Sequence, residues 1–295
     1  MSSTSLRTGS IAKESLANAQ AVILPTLPGL LLFAAAVAGQ SWINRLATQG
    51  GQTVFYWMAM GTVTIFVGCF WSATMYRHLL PEAGTRSVMA DAIRLFLANT
   101  AVYGLFFIIG FLLTLFFSLF SGVLIAASGY DPSETGSPDE VWRSVEALSD
   151  SGGAMVLYAL LIIAVCALVW LGLRLFLFGV ASIAERHLTI FRSWPWTAKH
   201  VARIALLWVS LQLVPWLILS LVASGVLHAG GFDTVFSFYV GPQPDGSAAS
   251  DLTFALLSAI STLLFAPFYW VGHGLAVALY RRLAPNRVDA ETTFG

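Results

Sequence analysis

No Asp, Glu, Lys or Arg occurs in residues 15–44, 46–76, 95–130, 151–173, 204–232 or 252–280. Roughly 20 apolar residues rising 1.5 Å each cross a hydrocarbon core of about 30 Å, so each gap can hold one membrane-spanning helix. Helices are the expected form because lipid offers no partner to backbone N–H and C=O groups. A membrane barrel would show alternating apolar and polar residues along its strands, and that pattern is absent. Composition agrees: 57% of the 295 residues are hydrophobic and 10% charged, against about 45–50% and about 25% in soluble domains.

The reading is therefore an all-α polytopic membrane protein with six transmembrane helices, near 20–41, 53–75, 96–127, 153–183, 204–227 and 252–279. Residues 1–19 form an amphipathic lead-in, 20–280 the transmembrane domain and 281–295 a tail. The third and fourth helices are longer than one crossing needs, which calls for tilt, a kink or an extension into the interface. Arg7 and Lys13 before an apolar stretch ending in "AVA" at 36–38 resemble a secretory signal. An uncleaved first helix is expected instead, because five similar spans follow it. Cys69 and Cys166 both fall inside spans and read as small buried hydrophobes rather than a disulfide or metal pair.

Lys and Arg set orientation. Thirteen of the fifteen fall at the N-terminus, in the second and fourth loops and at the C-terminus, leaving Arg45 and Arg143 for the other side. Both termini are thus expected in the cytoplasm. Acidic residues lean the opposite way, with Asp131, Glu134, Asp139, Glu140, Glu146, Asp150, Asp233, Asp245 and Asp251 external.

The even-numbered helices end on related phrases: "YRHL" at 76–79, "ERHL" at 185–188 and "YRRL" at 280–283. Five residues before each first Arg stands Ser72, Ala181 or Ala276, small enough for helices to approach closely. Arg77 to Arg94 and Arg186 to Arg203 share a spacing of 17 residues. Three repeated helical hairpins would account for this, and shared topology alone accounts for the arginines.

Between the fourth and fifth spans lies "AERHLTIFRSWPWTAKHVAR". A helix starting near Ser193, with Ser193 as its N-cap and Pro195 in the first turn, would line up Trp196, Lys199 and Arg203. Tryptophans suit the headgroup zone and cations suit anionic lipid, so this reads as an interfacial helix together with Arg186 and Trp194. A similar segment is expected around 86–95. Outside, "SPDEVWRSVEALSD" at 137–150 has the Ser-x-x-Glu pattern of a capping box and reads as a short surface helix. The final external loop, 230–250, is aromatic and then rich in Pro, Gly and Ser.

Ionisable groups inside spans raise functional hypotheses by default. Arg174 lies about twelve residues before the cytoplasmic phrase; it could snorkel, pair with another helix, or hold a lipid or substrate phosphate through its planar fork. His273 stands between Gly272 and Gly274 and after Pro267. A neutral His bonded between helices is the plainer reading, and a proton-relay or ligand role the sharper one. Asn99, Thr100 and Gln212 are candidates for interhelical hydrogen bonds. No HExxH, GxSxG, P-loop or GxGxxG motif is present, and the histidines lack metal-ligand spacing. No enzyme activity, cofactor or nucleic-acid partner is expected.

The stretch "RLFLFGVASIAERHLTIFRSWPWTAKHVARI", from Arg174 to Ile204, resembles a signature of bacterial multi-pass proteins grouped with the membrane domain of glycerophosphoryl diester phosphodiesterases. Its positions here are Arg174, Ala181, Glu185, Ser193, Trp194, Thr197 and Arg203. Ala181 stands where proline is often found, and Pro195 is an addition. The opening "SIAKESLANAQAVILPTLPGLLLF" is also similar to that family's usual lead-in. In fused members catalysis belongs to a soluble domain missing from this chain, so the resemblance implies a stand-alone inner-membrane protein and argues against a phosphodiesterase. The resulting expectation is a non-enzymatic bacterial inner-membrane protein acting in envelope homeostasis through anionic lipid, a membrane-protein partner or a second copy. The alternative is a transporter or lipid-translocating protein with a site near Arg174 and His273.

Overall fold

The computed structural model describes residues 7–50, 53–80, 87–128, 143, 146, 148–150, 152–229 and 251–284. The described residues form helices and turns, and six of the helical stretches are long and apolar enough to cross a membrane. Those helices are α1 (Thr8–Gly50), α2 (Thr53–Leu79), α3 (Val88–Ala127), α4 (Gly153–Leu175) with its short continuation α5 (Phe178–Ala184), α7 (Val201–Trp208) running into α8 (Val214–Ala229), and α9 (Asp251–Leu283). Helix α6 (Ser193–Thr197) lies in the connection between α5 and α7.

The six expected spans are all present, with two internal differences. The fourth span is interrupted at residues 176–177, and the fifth carries a π-helical turn at Val209–Leu213. The lead-in is itself helical, continuous with α1 from Thr8, and buries Ile11 and Ser15. Most of segment 137–150, the loop 230–250, Asp131, Glu134, Arg86, Arg287 and most of the tail lie outside the described residues.

The chain divides into two compact units, one of residues 1–99 with 174–295 and one of Thr100–Leu173. In the first, α1 packs antiparallel along both α2 and α9. Small residues set that contact. A Cβ placed on Gly29 would meet the Trp71 ring at 2.8 Å, and one on Gly68 would meet Phe33 at 3.1 Å. Phe33, Trp71, Tyr269 and Trp270 form an aromatic cluster with centroid separations of 5.3 to 6.3 Å, inside the 4.5–7 Å range such pairs prefer. Polar side chains complete the pairing. Thr26 donates to the Val22 carbonyl at 2.6 Å and accepts from Trp270 Nε1 at 3.1 Å, and Ser41 bonds Ser258 at 2.8 Å. Such bonds bind helices in lipid, where apolar side chains gain nothing by leaving hydrocarbon for one another.

Both ends of this unit are fastened by charge. At one, Arg45 pairs with Asp251 at 2.8 Å and lies over the Phe254 ring. At the other, Glu14 holds Arg281 at 3.4 Å and Arg282 at 2.6 Å, while Arg281 also donates to the Leu79 carbonyl. The second unit consists of the parts of α3 and α4 that lie between Thr100 and Leu173; Cys166 is exposed there, against the expectation of a buried residue, while Cys69 is buried in the first unit.

Candidate functional site

The site forms where α4 stops. Arg174 is 6% exposed, and its guanidinium carbon lies 4.4 Å from the centre of the Trp194 ring. The break after Leu175 removes the next helical turn, so the Arg174 carbonyl needs other donors. Ser193 and Thr197 supply them, each hydroxyl donating at 3.1 Å from α6. Ser193 is consequently not the cap expected of it: it is fully buried and also donates to the Ile190 carbonyl, while the residue at the cap position, Arg192, makes no side-chain cap bond.

The turn between α5 and α6 is pinned as well. The Thr189 backbone N–H donates to Ser182 Oγ at 3.2 Å, and both residues are buried. Glu185 pairs with Arg192 at 2.5 Å across the turn. Arg186 ends α5 in the left-handed conformation, φ 64°, the position of a C′ residue that glycine usually takes. Thus Arg174, Ser193, Trp194 and Thr197 meet in one lock, with Glu185 close by in the chain and occupied with Arg192.

The collar that this lock supports is not one helix. α6 ends at Thr197, residues 198–200 form turns, and α7 begins at Val201. Trp196 turns inward against Tyr280 of α9 with ring centres 5.8 Å apart. Lys199 and Arg203 are exposed and have no ion-pair partner among the described residues. Leu188, Phe191 and Leu206 of the same segment are exposed as well. Between the two cations, partial burial first and then the charges of Arg203 and Lys199 hold His200 below the ordinary histidine range. The collar therefore exposes both positive charge and apolar side chains.

His273 has different partners. Its Nδ1–H donates to the Tyr269 carbonyl in its own helix at 2.6 Å, and its ring lies 4.7 Å from that of Tyr76 on α2. The expected hydrogen bond to a neighbouring helix is replaced by ring packing, because Tyr76 fills the space the histidine faces. Asn99 does bridge helices, donating to Cys69 Sγ at 3.3 Å, whereas Thr100 is exposed. Gln212 lies in the π-helical turn against Gly272, with a buried Nε2 that has no partner among the described residues.

The sequence reading passed over two acids that matter. Asp91 is 2% exposed and accepts from Arg77 at 3.2 Å and Arg94 at 2.6 Å, which gives the first 17-residue Arg spacing a local cause. Glu14 does the corresponding work for Arg281 and Arg282. The available signal was the scarcity of acids on the basic side.

Arg174→Gln is expected to free the collar without unfolding the bundle. A desolvated cation–π contact contributes about 2 kcal/mol, which corresponds to roughly a 30-fold rise in local opening. Tryptic cleavage after Arg192 and Lys199 in detergent should accelerate accordingly, and Arg174→Lys should restore only part of the protection because an ammonium lacks the planar fork. Unchanged cleavage would remove the lock from this account.

Comparison with protein-family models, with curated proteins and with solved structures gives no match.

Proposed function

We propose that this is a non-enzymatic protein of the bacterial inner membrane, with both termini in the cytoplasm, whose collar from Leu188 to Leu206 engages anionic lipid headgroups and thereby serves an accessory role in the envelope. The observation that carries the reading is the pairing of exposed Lys199 and Arg203 with exposed Leu188, Phe191 and Leu206 on a segment pinned from beneath by Arg174. Cations beside interfacial apolar groups are the surface that a negatively charged leaflet attracts. The charge asymmetry of the loops and the resemblance of residues 174–204 to a bacterial membrane-protein signature support the same placement. Arg174 then positions the collar, and Lys199 and Arg203 meet the lipid. The translocation alternative has less support, since Arg174 and His273 are each engaged by aromatic neighbours.

Native mass spectrometry of the protein from nanodiscs of phosphatidylglycerol or phosphatidylcholine tests this. Each basic residue near an anionic surface contributes about 1 kcal/mol, so Lys199→Gln with Arg203→Gln should lower phosphatidylglycerol retention by roughly 30-fold. Phosphatidylcholine retention should not change. Equal retention of phosphatidylglycerol by both proteins would sink the lipid reading, and labelling of Lys199→Cys by a membrane-impermeant thiol reagent applied from outside intact cells would overturn the orientation.

A further inference from the structure

His200 stands where the two helices of the collar join. Its backbone N–H donates to the Thr197 carbonyl at 2.9 Å and its carbonyl accepts from the Ile204 N–H at 2.9 Å, so one residue ties the turn after α6 to the first turn of α7. The ring is partly buried, and its Nδ1 is shielded from solvent without a hydrogen-bond partner among the described residues. A neutral ring can leave that nitrogen as an unused acceptor. A protonated ring must carry a hydrogen there, which buries a charged donor with nothing to receive it.

The surroundings oppose that proton as well. Lys199 adjoins the ring in the chain, Arg203 follows three residues later, and the N-terminal end of α7 is the positive end of the helix dipole. The elements packed on the collar bring no compensating anion. α1, which touches α7, carries Lys13 and Glu14, and α9, whose Tyr280 meets Trp196, carries Arg281 and Arg282. Glu14 is held by both of those arginines, Asp91 by Arg77 and Arg94, and Glu185 by Arg192. The turn before α6 adds Arg186 and His187. Partial burial, then Arg203 and Lys199, hold the ring below the ordinary histidine value, to which a released ring returns at about 6.5. The closed turn therefore keeps its full stability above about pH 6.5 and loses it as the pH falls below that value.

We propose that His200 is an acid-sensitive latch: its protonation unseats the turn at residues 198–200 and adds a third positive charge to Lys199 and Arg203. The unseating stands on the ring's own surroundings, whereas the use of the added charge rests on the anionic-lipid reading of the collar. Both effects have one sign. Acid loosens the turn, and a leaflet at about −30 mV, whose surface lies about half a pH unit below the bulk, favours the charged and loosened form.

Tryptic cleavage after Lys199 tests the latch, measured from about pH 7.5 to about pH 5.5 on the full-length protein in phosphatidylcholine nanodiscs. Each rate is divided by that of a synthetic peptide of residues 190–206 carrying the matching residue at position 200. With a released ring near 6.5 and a closed ring that stays neutral, the ratio should rise by up to about tenfold. His200→Gln cannot take the proton and should give a flat ratio. His187→Gln alters an exposed histidine of the preceding turn and should keep the parent's slope. A flat parent profile, or a slope that survives His200→Gln, would overturn the latch. Native mass spectrometry from phosphatidylglycerol nanodiscs reads the third charge: retention should be about fivefold higher at the acid end in the parent and unchanged in His200→Gln. Cleavage that rises while retention stays level would overturn the lipid role of the added charge and leave the latch itself in place.

Discussion

Asp91→Ala is expected to destabilise the protein by about 3–5 kcal/mol, the range for removing one partner from a buried ion pair. The carboxylate is 3% exposed, and it is shared by Arg77 at 13% and Arg94 at 17%. Deleting it removes the counter-charge shared by two neighbouring guanidinium groups, so the cost comes from their repulsion more than from the lost bonds. Asp91→Asn keeps an accepting oxygen but not the charge, and should fall between the variant and the parent. Arg77→Leu introduced into Asp91→Ala should recover part of the loss, because it removes the repulsion between the two guanidinium groups. Unfolding in mixed micelles, followed by tryptophan fluorescence, measures all four proteins. A loss below about 1 kcal/mol for Asp91→Ala would mean that water or headgroups already solvate this cluster, as they do at surface pairs.

That cluster also marks where sequence legibility ends. Six spans could be found by noting where charges are missing, because the cost of charge in hydrocarbon acts on each residue separately and needs no knowledge of neighbours. The breaks inside the spans have no such local cause. Residues 176–177 are Phe and Leu, and no proline stands in the π-helical turn from Val209 to Leu213. The first break is sustained by hydroxyls from residues 19 and 23 positions away, which satisfy the Arg174 carbonyl. Sequence reading placed Arg174, Ser193, Trp194 and Thr197 in one pattern by resemblance, but took Ser193 for a cap and extended the helix past Thr197. Local capping preference was overridden because a buried orphan carbonyl costs more than an uncapped helix start.

The phrase shared by the even-numbered helices shows the same division. Arginine at the end of each even-numbered span is the kind of residue a membrane exit favours, whereas its partner depends on which helix arrives alongside. Arg77 meets Asp91, Arg281 meets Glu14 and the Leu79 carbonyl, and Arg186 turns the backbone into the left-handed region. Similar spelling thus serves three different local structures.

Gly274→Val should force the first and last helices apart. A Cβ at this position would collide with the Ser15 carbonyl oxygen and lie 3.2 Å from both the Ala19 nitrogen and the Asn18 Cβ. Those are mainly backbone atoms of α1, so no side-chain rotation can make room, and α1 and α9 would have to separate. Overpacking ordinarily costs about 1–3 kcal/mol, and here the displaced helix also takes with it the Asn18 amide that donates to the Gly274 carbonyl at 3.2 Å. The pairs between Glu14 and Arg281 and Arg282 lie at the same end and would open together with it. The expected sum exceeds 3 kcal/mol and should appear as loss of the monodisperse species on size exclusion in detergent. Gly272→Ala is the matched control: its Cβ meets the side-chain amide of Gln212 at 3.5 Å, an ordinary contact, so the fold should survive. If Gly274→Val elutes and melts as the parent does, the close approach of the first and last helices is wrong, and with it the placement of Glu14 among the arginines.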